Sequence, residues 1–196
     1  MLSLRKPTPE LIAEFLQRQA TLSLTYTAIG ATATTPPAGY VVDHTRRQLG
    51  RGEYVFESAQ AAIRVWRQFQ LGWIEAEPHD TPIREGNVIA VLAQTFGVWW
   101  LNACRIVYVI DEANDALKRF GFAYGTLPAH AGTGEERFLV EWNRVTDEVY
   151  YDILAFSQMR HPLAILGYPL VRRTQKRFGL DSADAVQRAV QSNQVK

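Results

Sequence analysis

Apolar side chains recur every third or fourth residue at the two ends and in one interior stretch of this chain, and every second residue through most of the rest. The two periods predict helices and strands respectively. "PTPELIAEFLQRQATL" offers Thr8 as an N-cap and Pro9 at the first helical position, and lines Leu11, Ile12, Phe15 and Leu16 along one face. "YVFESAQAAIRVWRQFQLGW" spaces Phe56, Ala59, Ile63, Trp66 and Phe69 or Gln70 by three and four, so an amphipathic helix is expected up to Gly72, which suits a left-handed cap. Between these helices Pro36, Pro37 and Gly39 forbid regular structure, and "YVVDHTRRQLGRG" reads as a strand closed by Gly50 and Gly52. "WIEAEP" is a further strand, ended by Pro78.

The stretch from Asn87 to Cys104 carries no charge and is long enough to raise the question of a membrane span. A lipid-spanning helix needs about 20 predominantly apolar residues, whereas this run contains Gln94, Thr95, Gly97 and Asn102 and is followed by Arg105. Its β-branched and aromatic residues, divided by "TFG", predict two strands joined by a turn. "KRFGFAYGTL", "ERFLVEWNRV" and "EVYYDILAFS" continue as strands, with "DEAND", "PAHAGTGEE" and "NRVTDE" as the turns. After Ser157 the period lengthens again, predicting a long C-terminal helix interrupted by Pro169 and Gly179, with Asp181 as the cap of a continued segment.

Strands in succession with segregated helices predict an α+β fold: a curved antiparallel sheet of about seven strands wrapped around the C-terminal helix. Residues 1–39 form an N-terminal helix and loop arm, and residues 40–196 form the domain proper.

Composition narrows the function more than it defines it. The 21 basic and 20 acidic residues leave a formal charge of +1, so no whole-molecule field draws nucleic acid or anionic lipid. Arg172, Arg173, Lys176 and Arg177 are read as a solvated helix face. Cys104 is the single cysteine, so no disulfide framework exists. The N-terminus lacks the apolar core of a signal peptide, and a cytoplasmic protein without integral membrane association is expected.

Alternation sorts the strand residues into two faces. One carries Trp100, Asn102, Cys104, Ile106, Tyr108, Phe122, Tyr124, Phe138, Trp142 and Tyr151, an aromatic surface dotted with hydroxyl and amide groups. That is the lining of an apolar pocket or, equally, of a filled core. The other carries Arg105, Gly121, Ala123, Gly125, Glu141 and Asp152, where small residues would leave room and Arg105 could clamp a carboxylate. Alternation does not decide which face is concave. The candidate ligand-binding residues are therefore Trp100, Asn102, Arg105, Tyr108, Phe122, Tyr124, Glu141, Trp142 and Tyr151. No P-loop, dinucleotide fingerprint, G-x-S-x-G, H-E-x-x-H or C-x-x-C is present, and His44, His79, His130 and His161 lack metal-ligand spacing. No cofactor and no metal are expected. His130, in a glycine-containing loop, is placed where it could close over a cavity mouth.

"FESAQAAIRVWRQFQLGW", "LNACRIVYVIDE", "RFGFAYGTLPAHAGTGEERFLVEW" and "DILAFSQMRHPLAILGYPLVRRTQKRF", in this order, resemble the bacterial and plant uncharacterised protein family 0548, from about Tyr26 to the end of the C-terminal helix. The resemblance implies a START-like, pollen-allergen-like helix-grip fold, whose members commonly bind lipids, sterols, polyketides or other apolar molecules. It transfers no catalytic residue. Three functions follow as expectations: binding of a small apolar or amphipathic molecule between sheet and helix; a cyclase- or hydrolase-like enzyme using Tyr108, Tyr124, Arg105 or Glu141; and an interaction module, with a homodimer as its simplest form.

Overall fold

The computed structural model describes residues 1–95 and 97–194. In chain order the elements are β1 (Leu2–Ser3), α1 (Pro9–Gln19), β2 (Val41–Arg51), α2 (Glu53–Arg64), β3 (Ile74–Glu77), β4 (Val88–Thr95), β5 (Val98–Ala113), β6 (Leu117–Thr126), β7 (Gly132–Asn143), β8 (Glu148–Met159), α3 (Pro162–Leu166) and α4 (Tyr168–Gln194). Strands β3 to β8 form an antiparallel meander, β2 returns to pair with β8, and β1 adds to β5. The sheet curls around α2 and α4. This is the α+β arrangement of curved antiparallel sheet and C-terminal helix expected from the alternation of periods, and the helix-grip fold that the family resemblance implied.

The uncharged run is the β4–β5 hairpin, paired from Val88↔Arg105 to Thr95↔Val98. Gly97 at its tip adopts φ 75°, while Phe96 of the expected "TFG" turn lies outside the described residues, as do residues 195 and 196. The run is apolar on both faces because both are covered. Ile89, Val91 and Cys104 join the core beneath α2 and α4, whereas Ala90, Leu92, Leu101 and Ala103 pack against Ile12, Phe15 and Leu16 of α1 on the convex side. No described helix is long and apolar enough to cross a membrane.

Thr8 caps α1 as its position predicts, its side chain accepting from the Leu11 N–H at 3.3 Å. Helix α2 stops sooner than its apolar period suggests. Trp66 turns left-handed at φ 57°, and Arg67–Phe69 form a separate 3₁₀ turn. The indole is buried between Phe69 and Phe122, with ring centroids 5.9 and 5.0 Å away, and its Nε1–H donates to the Thr81 carbonyl at 2.8 Å. Those contacts hold a backbone conformation that a bulky residue rarely takes.

The C-terminal helix corrects the reading in the opposite sense. Pro169 falls in the first turn of α4, where its missing N–H costs nothing, and the helix continues through Gly179. Asp181 caps no segment; its carboxylate accepts from Trp73 Nε1 at 2.8 Å and Arg177 Nε at 3.0 Å. Gly179 lets the helix lie close against β2, because a Cβ there would stand 2.5 Å from Thr45 Oγ1. Strand β7 starts at Gly132, so "GTGEE", expected as turn, is strand.

Residues 21–39 do not hang free. Glu135 on the convex face of β7 is almost fully buried and accepts from Tyr26 Oη at 2.7 Å, the Gly30 N–H at 2.7 Å, and the Thr32 N–H at 3.0 Å and its hydroxyl. One carboxylate thus holds the arm against the sheet through charge-assisted bonds. Replacing it by alanine leaves those donors buried without an acceptor. Glu135→Ala is expected to lower stability by about 3 kcal/mol in urea denaturation and to expose residues 21–39 to limited proteolysis before the sheet is cut.

Candidate functional site

Most of the space between the sheet and α4 is filled by rings. Phe138 lies 5.3 Å from Phe69, 5.3 Å from Phe122 and 5.5 Å from Tyr124, and Phe178 of α4 closes on Phe69 at 5.2 Å. The filling ends at Phe178 and Tyr124. Beyond them, under the first three turns of α4, a cleft of about 190 Å³ remains, with Val91, Asn102, Tyr124, Glu136, Ala155 and Ser157 on the sheet side and Thr174, Gln175 and Phe178 on the helix side. Trp73, Ile74, His130 and Met159 also line it.

The polar groups of the cleft are few and almost all occupied. Asn102 accepts from the Ala131 N–H at 3.0 Å and donates to the Val91 carbonyl at 3.3 Å. Asp43 on β2 takes a bidentate pair of bonds from Arg172 on α4, at 2.5 and 2.6 Å, and Arg172 also donates to Gln175 Oε1 at 2.6 Å. Gln175 in turn donates to Ser157 Oγ at 3.1 Å. These bonds fasten the roof to the sheet. Glu136 is the exception. Its Oε2 accepts from the Tyr124 hydroxyl at 2.6 Å, and no bond among the described residues engages its other oxygen.

Alternation explains why the two meet. Tyr124 and Glu136 are directly paired across β6 and β7, and Phe122↔Phe138 is the next pair on the same face. Burial pushes the Glu136 carboxyl up to about 7, the Tyr124 bond opposes the shift, and the nearby Asp43 charge adds to it. Burial, then the Glu136 charge, push the Tyr124 phenol well above its usual range. His130 is driven down to about 4 by burial, with the N-terminal charge adding to the effect. Its Nδ1 lies 2.9 Å from the Gly132 N and 3.2 Å from the Gly132 carbonyl oxygen, so that nitrogen is occupied by the Gly132 backbone. Burial also pushes the Cys104 thiol well up, so it is not poised as a nucleophile. Among the described residues no three His, Cys, Asp or Glu side chains gather as a metal would require.

Of the residues expected at a ligand site, Asn102 and Tyr124 line the cleft. Phe122 and Tyr151 are in the filled core, Tyr151 bonded to Ser182 Oγ at 3.1 Å. Trp142 sits at the far end of the same face beside Phe56, and Trp100 lies edge-on to His161, 5.5 Å between centroids. Arg105 and Glu141 are on the convex face. Arg105 donates to the Ala20 and Leu22 carbonyls just after α1, at 2.7 and 2.9 Å, and so ties down a helix end. Glu141 bridges Arg46 and Arg119 at 2.9 and 2.7 Å, beside Asp152, which holds His44, Arg46 and Arg137.

Tyr108 is a correction. A bulge between Ile106 and Tyr108 breaks the alternation of β5, so Ile106 pairs with Tyr124 but Tyr108 with Ala123. Its hydroxyl meets Thr32 Oγ1 under the arm at 2.7 Å. Tyr124 therefore faces the cleft while Tyr108, Arg105 and Glu141 face away, and the acid–base set expected of an enzyme does not assemble. The small residues of β6 leave no room either: a Cβ on Gly121 would strike the Phe138 carbonyl, and one on Gly125 the ring of Tyr26. No tryptophan among the described residues is exposed; Leu163, Ile165 and Leu166 of α3 and Tyr168 and Leu170 at the start of α4 are exposed apolar side chains.

Glu136 and Asp43 were absent from the expected set. The strand signal for Glu136 was available, since it alternates with Phe138 and Val140, but the glycines of "AGTGEE" read as turn.

Residues 25–185 match the family described as a domain of unknown function, DUF1990. A UPF0548 protein of Dictyostelium discoideum is 39% identical over 164 residues, covering 80% of this chain and 76% of that protein, which takes the relatives beyond bacteria and plants. Among solved structures, a hypothetical protein from Helicobacter pylori superposes with a TM-score of 0.50 at 13% identity, over 84% of this chain and 94% of that one. A START superfamily protein from Mycobacterium smegmatis gives 0.48 at 11% identity, over 79% and 99%. At 13% identity the first of these likenesses concerns the fold alone.

The raised Glu136 carboxyl makes stability depend on pH with a definite sign. The folded protein holds this proton more tightly than the unfolded chain, whose carboxyl titrates near 4.5, so stability is fully present below that value and is lost as pH rises toward about 7. Glu136→Gln removes the penalty. The variant is expected to gain about 2–3 kcal/mol over wild type at pH 8 and much less at pH 5, read by urea denaturation at both values. Tyr124→Phe, which deletes the bond favouring the charged form, is expected to move the carboxyl titration, followed by ¹³C NMR, higher still.

Proposed function

The chain belongs to the DUF1990 (UPF0548) family, whose description names no activity, and from that premise we propose that it binds a small amphipathic molecule in the cleft between the sheet and α4. The observation that carries this reading is the contrast within one face. The aromatic surface is closed by its own rings around Phe138, yet it stays open where Tyr124 and Glu136 meet. An apolar recess with a few polar groups at one side is the usual form of a small-molecule site.

The size of the recess bears on the ligand. At about 190 Å³ it is below the roughly 300–1,000 Å³ of drug-sized sites. A single aromatic ring or a short branched chain suits it better than a full-length acyl chain. The apolar body would lie against Val91, Ala155 and Phe178, with the polar end toward Glu136 and Tyr124.

A panel of short isoprenoid alcohols, aromatic alcohols and amines, and lysolipids, screened by thermal midpoint, tests the reading. A ligand at a hundred times its Kd is expected to stabilise the protein by about 2.7 kcal/mol. Ala155→Phe, which fills the recess, is expected to abolish that gain for every hit. A panel without any shift, or hits indifferent to Ala155→Phe, would remove the cleft as the binding site.

A further inference from the structure

Charge in the cleft is unbalanced in one direction. Three acids contribute to its wall: Glu135, whose carboxylate is turned to the arm, Glu136 on β7 and Asp43 on β2. Of the cations on α4, Arg172 is spent on both oxygens of Asp43 and on Gln175, and Lys176, exposed on the helix, lines the neighbouring groove with Asp43 and Glu136 but bonds to neither. His130, in the loop before β7, already has Nδ1 occupied by the Gly132 backbone. The Tyr124 hydroxyl on β6 donates its hydrogen bond to Glu136 Oε2, and Cys104 on β5 lies buried among apolar groups. Glu136, which lines the recess, thus has one carboxyl oxygen with no donor among the described residues, beside a second acid whose own charge is compensated.

Resting on the cleft-binding reading above, we propose that the ligand of this site is a small apolar molecule carrying a protonated amine, with its ammonium group on the free oxygen of Glu136 and its apolar body against Phe178 and Val91. An ammonium supplies the donors and the positive charge the wall lacks. A carboxylate or phosphate ligand would meet Glu136 and Asp43 with Arg172 already spent on Asp43 and with Lys176 exposed to solvent on the neighbouring groove, outside the recess lining. A neutral alcohol can donate one bond, but it leaves the charge uncompensated, and charge-assisted bonds are about twice as strong as neutral ones.

The carboxyl's titration adds a signature. Near neutral pH about half of the free protein carries the proton on Glu136, which the ammonium must displace. Affinity for an amine therefore rises as pH increases through about 7, whereas affinity for an alcohol does not.

Benzylamine, benzyl alcohol and benzoate share a ring and differ in the head group, and each can be titrated into the whole protein by calorimetry and by NMR shift mapping. At pH 8 benzylamine is expected to bind about tenfold tighter than benzyl alcohol, with benzoate weakest, a difference of about 1.4 kcal/mol for each tenfold step. Benzylamine affinity is expected to fall about tenfold between pH 8 and pH 6 as Glu136 takes up its proton. Glu136→Gln, whose fold is checked by its thermal midpoint, is expected to bring benzylamine level with benzyl alcohol and to flatten the pH profile. Benzyl alcohol or benzoate binding in the cleft as tightly as benzylamine, or an amine preference that survives Glu136→Gln, would overturn the amine assignment and leave the cleft-binding reading in place. Failure of all three probes to bind while a member of the wider panel still stabilises the protein would overturn the amine assignment alone, and silence from the three probes and the wider panel together would overturn both.

Discussion

The fold depends on how a curved sheet fills its own hollow. An antiparallel sheet that curls around one helix presents more concave surface than the helix can cover, and the excess must be occupied by large side chains. Here Phe69, Phe122, Phe138 and Phe178 do so, with Phe138 in contact with the other three. The wedge comes from two directions: α4 supplies Phe178, and the left-handed turn at Trp66 drives Phe69 in from the end of α2. Where these rings stop, the recess begins. The cleft is the unfilled remainder of a core, and its position is set by the reach of four phenylalanines.

The adjacent glutamates 135 and 136 show how the pleat separates structure from chemistry. They point to opposite faces because successive strand residues must. Glu135 meets a dense set of donors from the arm and serves as a clasp. Glu136 meets one hydroxyl and an open space. The same side chain in the same backbone conformation holds the structure together on one side of the sheet and remains partly unsatisfied on the other. The Asp152 and Glu141 clusters on the convex face resemble Glu135 in having their oxygens engaged, although their partners are cationic side chains where those of Glu135 are neutral donors.

This arrangement also explains why a protein with almost no net charge can still hold a strongly polarised recess. Arg46, Arg119 and Arg137 compensate the acids of the convex face, Arg172 compensates Asp43, and Arg105 is used on the carbonyls after α1. The local balance at Glu136 is decided by which groups reach it through the sheet and the helix, and composition averages that information away.

Periodicity was enough to find both long helices, the β4–β5 hairpin and the meander, because each buries a face at its own period and the burial depends on little beyond sequence spacing. It also placed Asn102 and Tyr124 on the face that lines the recess. Three features lay outside its reach. The bulge after Ile106 moved Tyr108 to the convex side, since one extra residue reverses every later assignment on a strand. Buried contacts of Trp66 ended α2 against its own pattern, and pairing with β8 drew the glycine-rich start of β7 into the sheet, with Glu136 behind it. The sequence by itself determined which segments are ribbon and which are coil-wound, because that follows from local spacing. Tertiary structure alone decided which face is hollow, how far the rings fill it and which acid is left without a cation, because each of those depends on residues brought together from distant parts of the chain.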